Sequence, residues 1–457
     1  MRRINLYITG ILLLGMLSCT EYLDVKKKSE VIPETAEEFS SLIHYYLRNL
    51  DEASDYYVFG EYTKTLSFEC YSDNLDGDLS LSSRLQVYVG TDINSMTSRY
   101  KYIYEKIRDC NIILGEMEDK SSELGKKVAA AAYTLRGMCY YNLMREFCEP
   151  FDKAKASGMN GVPLVEKFDM EAKPARATLR ETFDFIVRDL KAAIDMNQTD
   201  KKYRLDVNVA KFYLARTYFW AQEWDLAIPI AKEILETFPL IKGEAYKEMM
   251  KSEVAQAGNE LLRAGTSKTK GYTDLNFGYS QTRPVAEDLI NLFTEKENDV
   301  RYNLFFTNKL LNNKTLRSAI RSAEMCLVIA ECYAHLGDND NALHYLNLLR
   351  ENRIEPYVAY TMSNLPAVDA AARIQVDAMG KALTPLMAAI LNERRKELYM
   401  ENGDRWYELK RNGRPEFWWG VSGVKYETLK FLYTFPIPKS DIVLNPAIIQ
   451  NPEYSKY

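Results

Sequence analysis

Between Ala210 and Pro239 the small and aromatic residues stand at offsets that strongly limit the choice of fold. Counting from Ala215, Tyr218 lies three residues on, Ala227 twelve on and Pro239 twenty-four on. Two antiparallel helices approach closely only where small residues meet, and a tyrosine fills the space beside them. The stretch therefore predicts a pair of helices joined by a tight turn. The same spacing recurs at Ala330, Tyr333 and Ala342, with Gly337-Asp338-Asn339-Asp340 as the turn, and a weaker copy begins at Gly137 and Tyr140 in a helix from about Val128 to Glu146. Glu38 to Leu50 and Met387 to Arg411 read as further helices.

These offsets are those of the tetratricopeptide repeat, so the expected fold is mainly α, with helical repeat units near 128–148, 210–239, 321–353 and 387–411. A tandem array would repeat every ~34 residues, whereas these copies are far apart. Long insertions must leave the scaffold between them. They are read at 70–99, 150–173, 251–313 and 364–380, and an irregular tail rich in Pro, Asn and aromatics fills 413–457. Loops leaving one side of a helical scaffold build binding surfaces. The insertions at 70–99 and 251–313 are expected to meet on one face, because each leaves the end of a hairpin and the hairpins stack side by side.

The N-terminus reads as a secretory leader. Met1-Arg2-Arg3 is positively charged, Ile11 to Leu17 is a short apolar run, and Leu17-Ser18 precedes Cys19. The run is too short to span a bilayer. Residues 1–18 are thus expected to be a lipoprotein signal peptide, with the mature domain, 19–457, beginning at a lipidated Cys19. Such a protein works outside the cytoplasm, away from ATP and NAD(P)H, and no cofactor is expected.

Composition narrows the function. The net charge of -5, with basic and acidic residues interspersed, argues against a nucleic-acid partner. Six cysteines other than Cys19 are scattered without a CxxC pair and read as small buried residues. The three histidines, His44, His335 and His344, fall in no metal-ligand or triad spacing, and neither G-x-S-x-G nor H-E-x-x-H occurs. No metal site or catalytic residue is assigned. Asp73, Asp76 and Asp78 lack the order of an EF-hand loop, which leaves a solvated turn, the favoured reading, or a polar ligand contact. Paired carboxylates of a secreted glycosidase are not visible in sequence spacing, so a hydrolase stays as an alternative without positive support.

Sugar recognition combines an aromatic face, packed on the apolar side of a pyranose, with amide, carboxylate and guanidinium groups on its hydroxyls. Asp73, Asn74, Arg84 and Tyr88 supply that mixture in the first insertion, and Tyr272, Phe277 and Tyr279 supply aromatics in the third. Taken singly, each aromatic more often pins its loop to the scaffold. In an extended segment Trp418 and Trp419 would face opposite ways, leaving at most one for a ligand. Trp220 and Trp224, one helical turn apart, read as core.

Several stretches resemble one family, the SusD/RagB lipoproteins of Bacteroidetes. Arg321-Ser322-Ala323-Glu324-Met325 with Ile329-Ala330-Glu331 resembles its "R-x-A-E … A-E" helix, and Ala342-Leu343 with Asn347 to Arg353 resembles the helix that follows. Asn392 to Leu398 and Gly403 to Arg411 are similar to its "E-R-R-x-E-L … G-x-R-W-x-D-L-x-R" signature. Pro436-Ile437-Pro438, Asn445-Pro446 and Gln450 to Tyr454 look like its ending, and Gly161 to Val165 and Asp299 to Arg301 add smaller matches. The resemblance implies a SusD-like fold in a surface-exposed lipoprotein that caps a TonB-dependent, SusC-like outer-membrane barrel and delivers oligosaccharide to it without hydrolysis. A peptide-carrying version is the alternative. It also implies that signature residues such as Arg405 and Trp406 hold the fold together, and that no ligand site carries over residue by residue.

Overall fold

The computed structural model describes residues 33–454 except 53, 56–57, 60–61, 78–87, 92, 170, 253–257 and 266–274. Cys19, Asp78, Arg84 and Tyr272 lie outside the described residues. The fold is mainly helical. The first half of the chain carries α1 (Ala36–Asp51), α2 (Tyr62–Tyr71), α3 (Ile93–Glu116), α4 (Glu123–Phe147), α5 (Leu179–Asp195), α6 (Val207–Trp220), α7 (Trp224–Thr237) and α8 (Gly243–Lys251). Three short helices follow, α9 (Leu275–Ser280), α10 (Glu287–Asn291) and α11 (Val300–Phe305). The rest are α12 (Ser322–Leu336), α13 (Asn339–Glu351), α14 (Pro385–Glu397), α15 (Asp404–Arg411) and α16 (Lys439–Leu444).

Local chemistry sets the helix ends. Thr35 and Thr178 open α1 and α5 with capping boxes closed by Glu38 and Glu181. Asp206 caps α6, Thr384 caps α14 ahead of Pro385, and Gly337 ends α12 in the left-handed region at φ 81°.

Helices α3 to α7 pack each on the next, and α12 packs directly on α7 before turning back as α13. The third insertion is therefore looped out of a continuous stack. Ala215, Ala227, Ala330 and Ala342, on which the repeat register rests, are all fully buried. A Cβ on Gly137 would come within 2.8 Å of the Leu190 side chain on α5, so a larger residue there would have to push Leu190 aside. Trp220 and Trp224 are buried, as core residues. Among the described residues there are three antiparallel pairs of short strands: β1 (Asn160–Pro163) with β2 (Arg176–Thr178), β3 (Glu260–Arg263) with β4 (Ala319–Arg321), and β5 (Phe417–Val421) with β6 (Val424–Thr428).

Two sequence expectations are corrected. The stretch 387–411 is two helices, not one. Between α14 and α15, Met400, Asn402 and Gly403 take positive φ. This kink lets the backbone of 400–402 pair with Arg317 through Arg317 N–H to Met400 O and Asn402 N–H to Arg317 O, both 3.0 Å. The tail is not wholly irregular, since β5 and β6 form a hairpin whose tip uses Ser422 and Gly423 at positive φ.

The signature helices carry a buried ionic network. Glu397 accepts from Arg301, Arg321 and Arg353, and Glu401 accepts from Arg321 and Lys314. Glu324 takes a bidentate pair from Arg216 on α6, and Glu331 answers Arg411. All these groups are inside, where an unanswered charge costs several kcal/mol, so each is paired. Trp406, 1% exposed, stacks on Tyr433 at 4.6 Å.

Candidate ligand-binding site

Four of the irregular segments converge around Asp73. Directly after α2 the chain makes a turn set by its own side chains: Ser72 Oγ donates to Glu69 O, and Asn74 Nδ2 donates to the Glu69 carboxylate. This fold-back buries Asp73 at 1% exposure. Arg405 grips its carboxylate with two bonds of 2.6 and 2.7 Å, while Arg395 and Arg373 stand 3.6 and 3.8 Å away. Burial works against this charge, but the guanidinium groups outweigh it and hold the carboxyl well below the usual carboxylate range.

The third insertion is tied to the first through backbone carbonyls. The Arg283 guanidinium, fully buried, donates to the carbonyls of Cys70, Leu75 and Asp76. Asp76 N–H donates to Pro284 O, and Ala286 N–H donates to Asn74 O. The fourth insertion contributes Arg373, which lies over the rings of Phe417 and Trp419 at 4.4 and 4.9 Å while reaching towards Asp73.

The hairpin of the tail closes the arrangement. In its register Trp419 pairs with Tyr426, and Trp418 pairs with Glu427 on the opposite face. Trp419 is buried against Gly77, where a Cβ would fall 2.2 Å from the indole, and Tyr426 lies 5.9 Å from Tyr88. Trp418 is 56% exposed, with Lys425 Nζ 5.6 Å from its ring centre. Facing in opposite directions is what the alternation of an extended strand requires.

Of the candidate contacts, Tyr88, Phe277 and Tyr279 are half-buried. Phe277 and Tyr279 sit on α9, which packs on α2. Asp73 and Asn74 are corrected: they are neither in a solvated turn nor at the surface. Asp73 is spent on guanidinium groups, and Asn74 is fully buried, donating to Glu69 and accepting from Arg395 Nε at 2.8 Å. Arg283, Arg373 and Tyr426 were not legible as partners of this face. Lone arginines in two separate loops give no spacing signal, and Tyr426 acquires meaning only once the hairpin register is known.

The six described cysteines are all free and buried, and burial pushes up the thiol of each. Among the described residues no group of three His, Cys, Asp or Glu side chains could hold a metal ion, and no helix is long and apolar enough to cross a membrane.

Two family models match the chain in succession. One, described as "Starch-binding associating with outer membrane", takes residues 21–219; the other, the SusD family, takes residues 245–454. Among solved structures, a SusD superfamily protein from Bacteroides vulgatus aligns with a TM-score of 0.71 at 20% identity, covering 92% of this chain and 100% of its own. A SusD-like carbohydrate binding protein from the same organism aligns at 0.66 and 17% identity, covering 93% and 100%, and a laminarin binding SusD-like protein at 0.63 and 17%, covering 92% and 100%. No curated protein matches. With the same fold over its length and both halves claimed in order, the chain belongs to the SusD/RagB family.

Proposed function

We propose that this chain is a cell-surface lipoprotein, anchored to the outer membrane through Cys19, that binds oligo- or polysaccharide on its loop-built face and hands it to a TonB-dependent, SusC-like barrel without hydrolysing it. The observation that carries the reading is the convergence of the first, third and fourth insertions with the tail around Asp73. The described parts of these loops are held to one another by buried hydrogen bonds and an ion pair. Of the candidate rings, Tyr88, Phe277 and Tyr279 are half-buried, with Tyr88 beside Tyr426 of the tail hairpin, and the indole of Trp418 is exposed on the side of that hairpin opposite Trp419. Partly exposed rings on a rigid frame suit the C–H face of a pyranose, because little side-chain entropy is lost on binding. Family membership supports the same reading, as does the carbohydrate binding named for two of the aligned proteins.

Glycan and peptide arrays probed with the mature protein test the ligand class. Retention on glycans and not on peptides is expected, and the reverse outcome would reassign the chain to peptide uptake. Solubilised outer membranes should yield a barrel protein with the tagged chain. Metabolic labelling with a fatty acid should mark the wild type and not Cys19→Ala. Incubation with any bound glycan should leave its chain length unchanged.

A further inference from the structure

A concavity of about 930 Å³ opens between α8, α11 and the chain leaving α13. None of the residues that join the loops around Asp73 lines it, and its volume is that of a ligand pocket rather than a packing defect.

Its lining has a specific chemistry. Asn298, Asn303, Asn313 and Asn352 line it, and the amides of Asn313 and Asn352 donate to the carbonyls of Leu304 and Leu348. Asn298 and Asn303 are exposed, and their side-chain amides have no protein partner among the described residues. A carboxamide offers two donors and an acceptor with two lone pairs, which matches the adjacent hydroxyls of a sugar ring.

The charges around the concavity cancel. On the floor, Lys314 donates to Glu401 at 2.6 Å and Arg353 donates to Glu397 at 2.9 Å, so both cations are answered from inside the protein. On the rim, Lys242, Lys247 and Lys251 stand on the α8 side, and Glu297, Glu351 and Glu355 stand across from them. Three of each sign leave little net field for a charged ligand.

We propose that this cleft is a second saccharide site, for neutral oligosaccharide, with the amides of Asn298 and Asn303 bonding the sugar hydroxyls. The proposal rests on the glycan reading above and adds a place on the protein lined by none of the residues that join the loops around Asp73.

Hydrogen-exchange mass spectrometry tests it on the mature protein. The probes are laminarihexaose, maltohexaose, cellohexaose and xylohexaose, with hexagalacturonate as the charged counterpart. A neutral probe should slow exchange in two separate regions, 275–286 with 417–428 at the loop face and 297–305 with 351–357 at the cleft. Asn298→Ala with Asn303→Ala should weaken the cleft response about tenfold and leave the loop face unchanged, since two hydrogen bonds are lost from exposed positions. Protection of the loop face at saturation with none at the cleft overturns the second site and leaves the proposed function intact. Cleft protection by hexagalacturonate in preference to the neutral probes overturns the neutral class. Protection of neither region by any probe removes both readings together.

Discussion

Replacing Asp73 by Asn keeps the shape of the side chain and removes the charge on which the loop face is centred. Arg405 would lose its carboxylate partner while remaining 7% exposed, and Arg395 would keep only Asn74, Asp288 and a backbone carbonyl. Removing one member of a buried ion pair costs about 3–5 kcal/mol, because the other is left unanswered. Unfolding entropy is roughly 2 cal/mol/K per residue, or about 1 kcal/mol/K for a chain of 457 residues. The melting temperature should therefore fall by about 3–5 °C at pH 7. The pH dependence has a definite sign. The folded pKa of Asp73 is depressed, so its stabilisation is fully present above the ordinary aspartate value near 4 and is lost as pH falls towards the folded value. The gap between wild type and Asp73→Asn in differential scanning calorimetry should close on acidification below about pH 4. Equal melting at pH 7, or a gap that widens in acid, would refute the claim that this carboxylate holds the loops.

Other consequences are simpler to measure. Ala227→Leu places a larger side chain at a fully buried helix contact and should cost roughly 1–3 kcal/mol in denaturant titration, whereas unchanged stability would displace the repeat register. Gly137→Ala should destabilise measurably for the same reason, since its new methyl meets Leu190. The six described cysteines should resist a thiol reagent in the native protein and react on unfolding, and rapid native labelling would contradict their burial.

The scaffold was legible in the sequence because its signal is periodic. Close helix contacts demand small residues at fixed offsets, and Ala215, Ala227, Ala330 and Ala342 keep those offsets whatever lies between. Nothing in the spacing revealed that α12 packs on α7 across the whole third insertion, since the contact is made in space and not along the chain. The candidate site was legible only in outline. The meeting of the first and third insertions follows from stacked hairpins, and the opposed faces of Trp418 and Trp419 follow from strand alternation. Asp73 and Asn74 misled because an Asp-rich, Gly-containing turn reads as solvated. Only the distant Arg395 and Arg405, more than 300 residues along the chain, turn it inward.

The central claim is that the loop face, and in particular its tyrosines, binds saccharide. Calorimetric titration of the mature protein with the glycan that scores highest on the array, repeated on Tyr88→Ala with Tyr279→Ala, tests it most directly. The wild type should bind in the range of roughly micromolar to millimolar, as a face of a few aromatic contacts would. The double variant should bind at least about tenfold more weakly while keeping the far-UV circular dichroism of the folded wild type. Equal affinity in both proteins would contradict the account and place the ligand elsewhere.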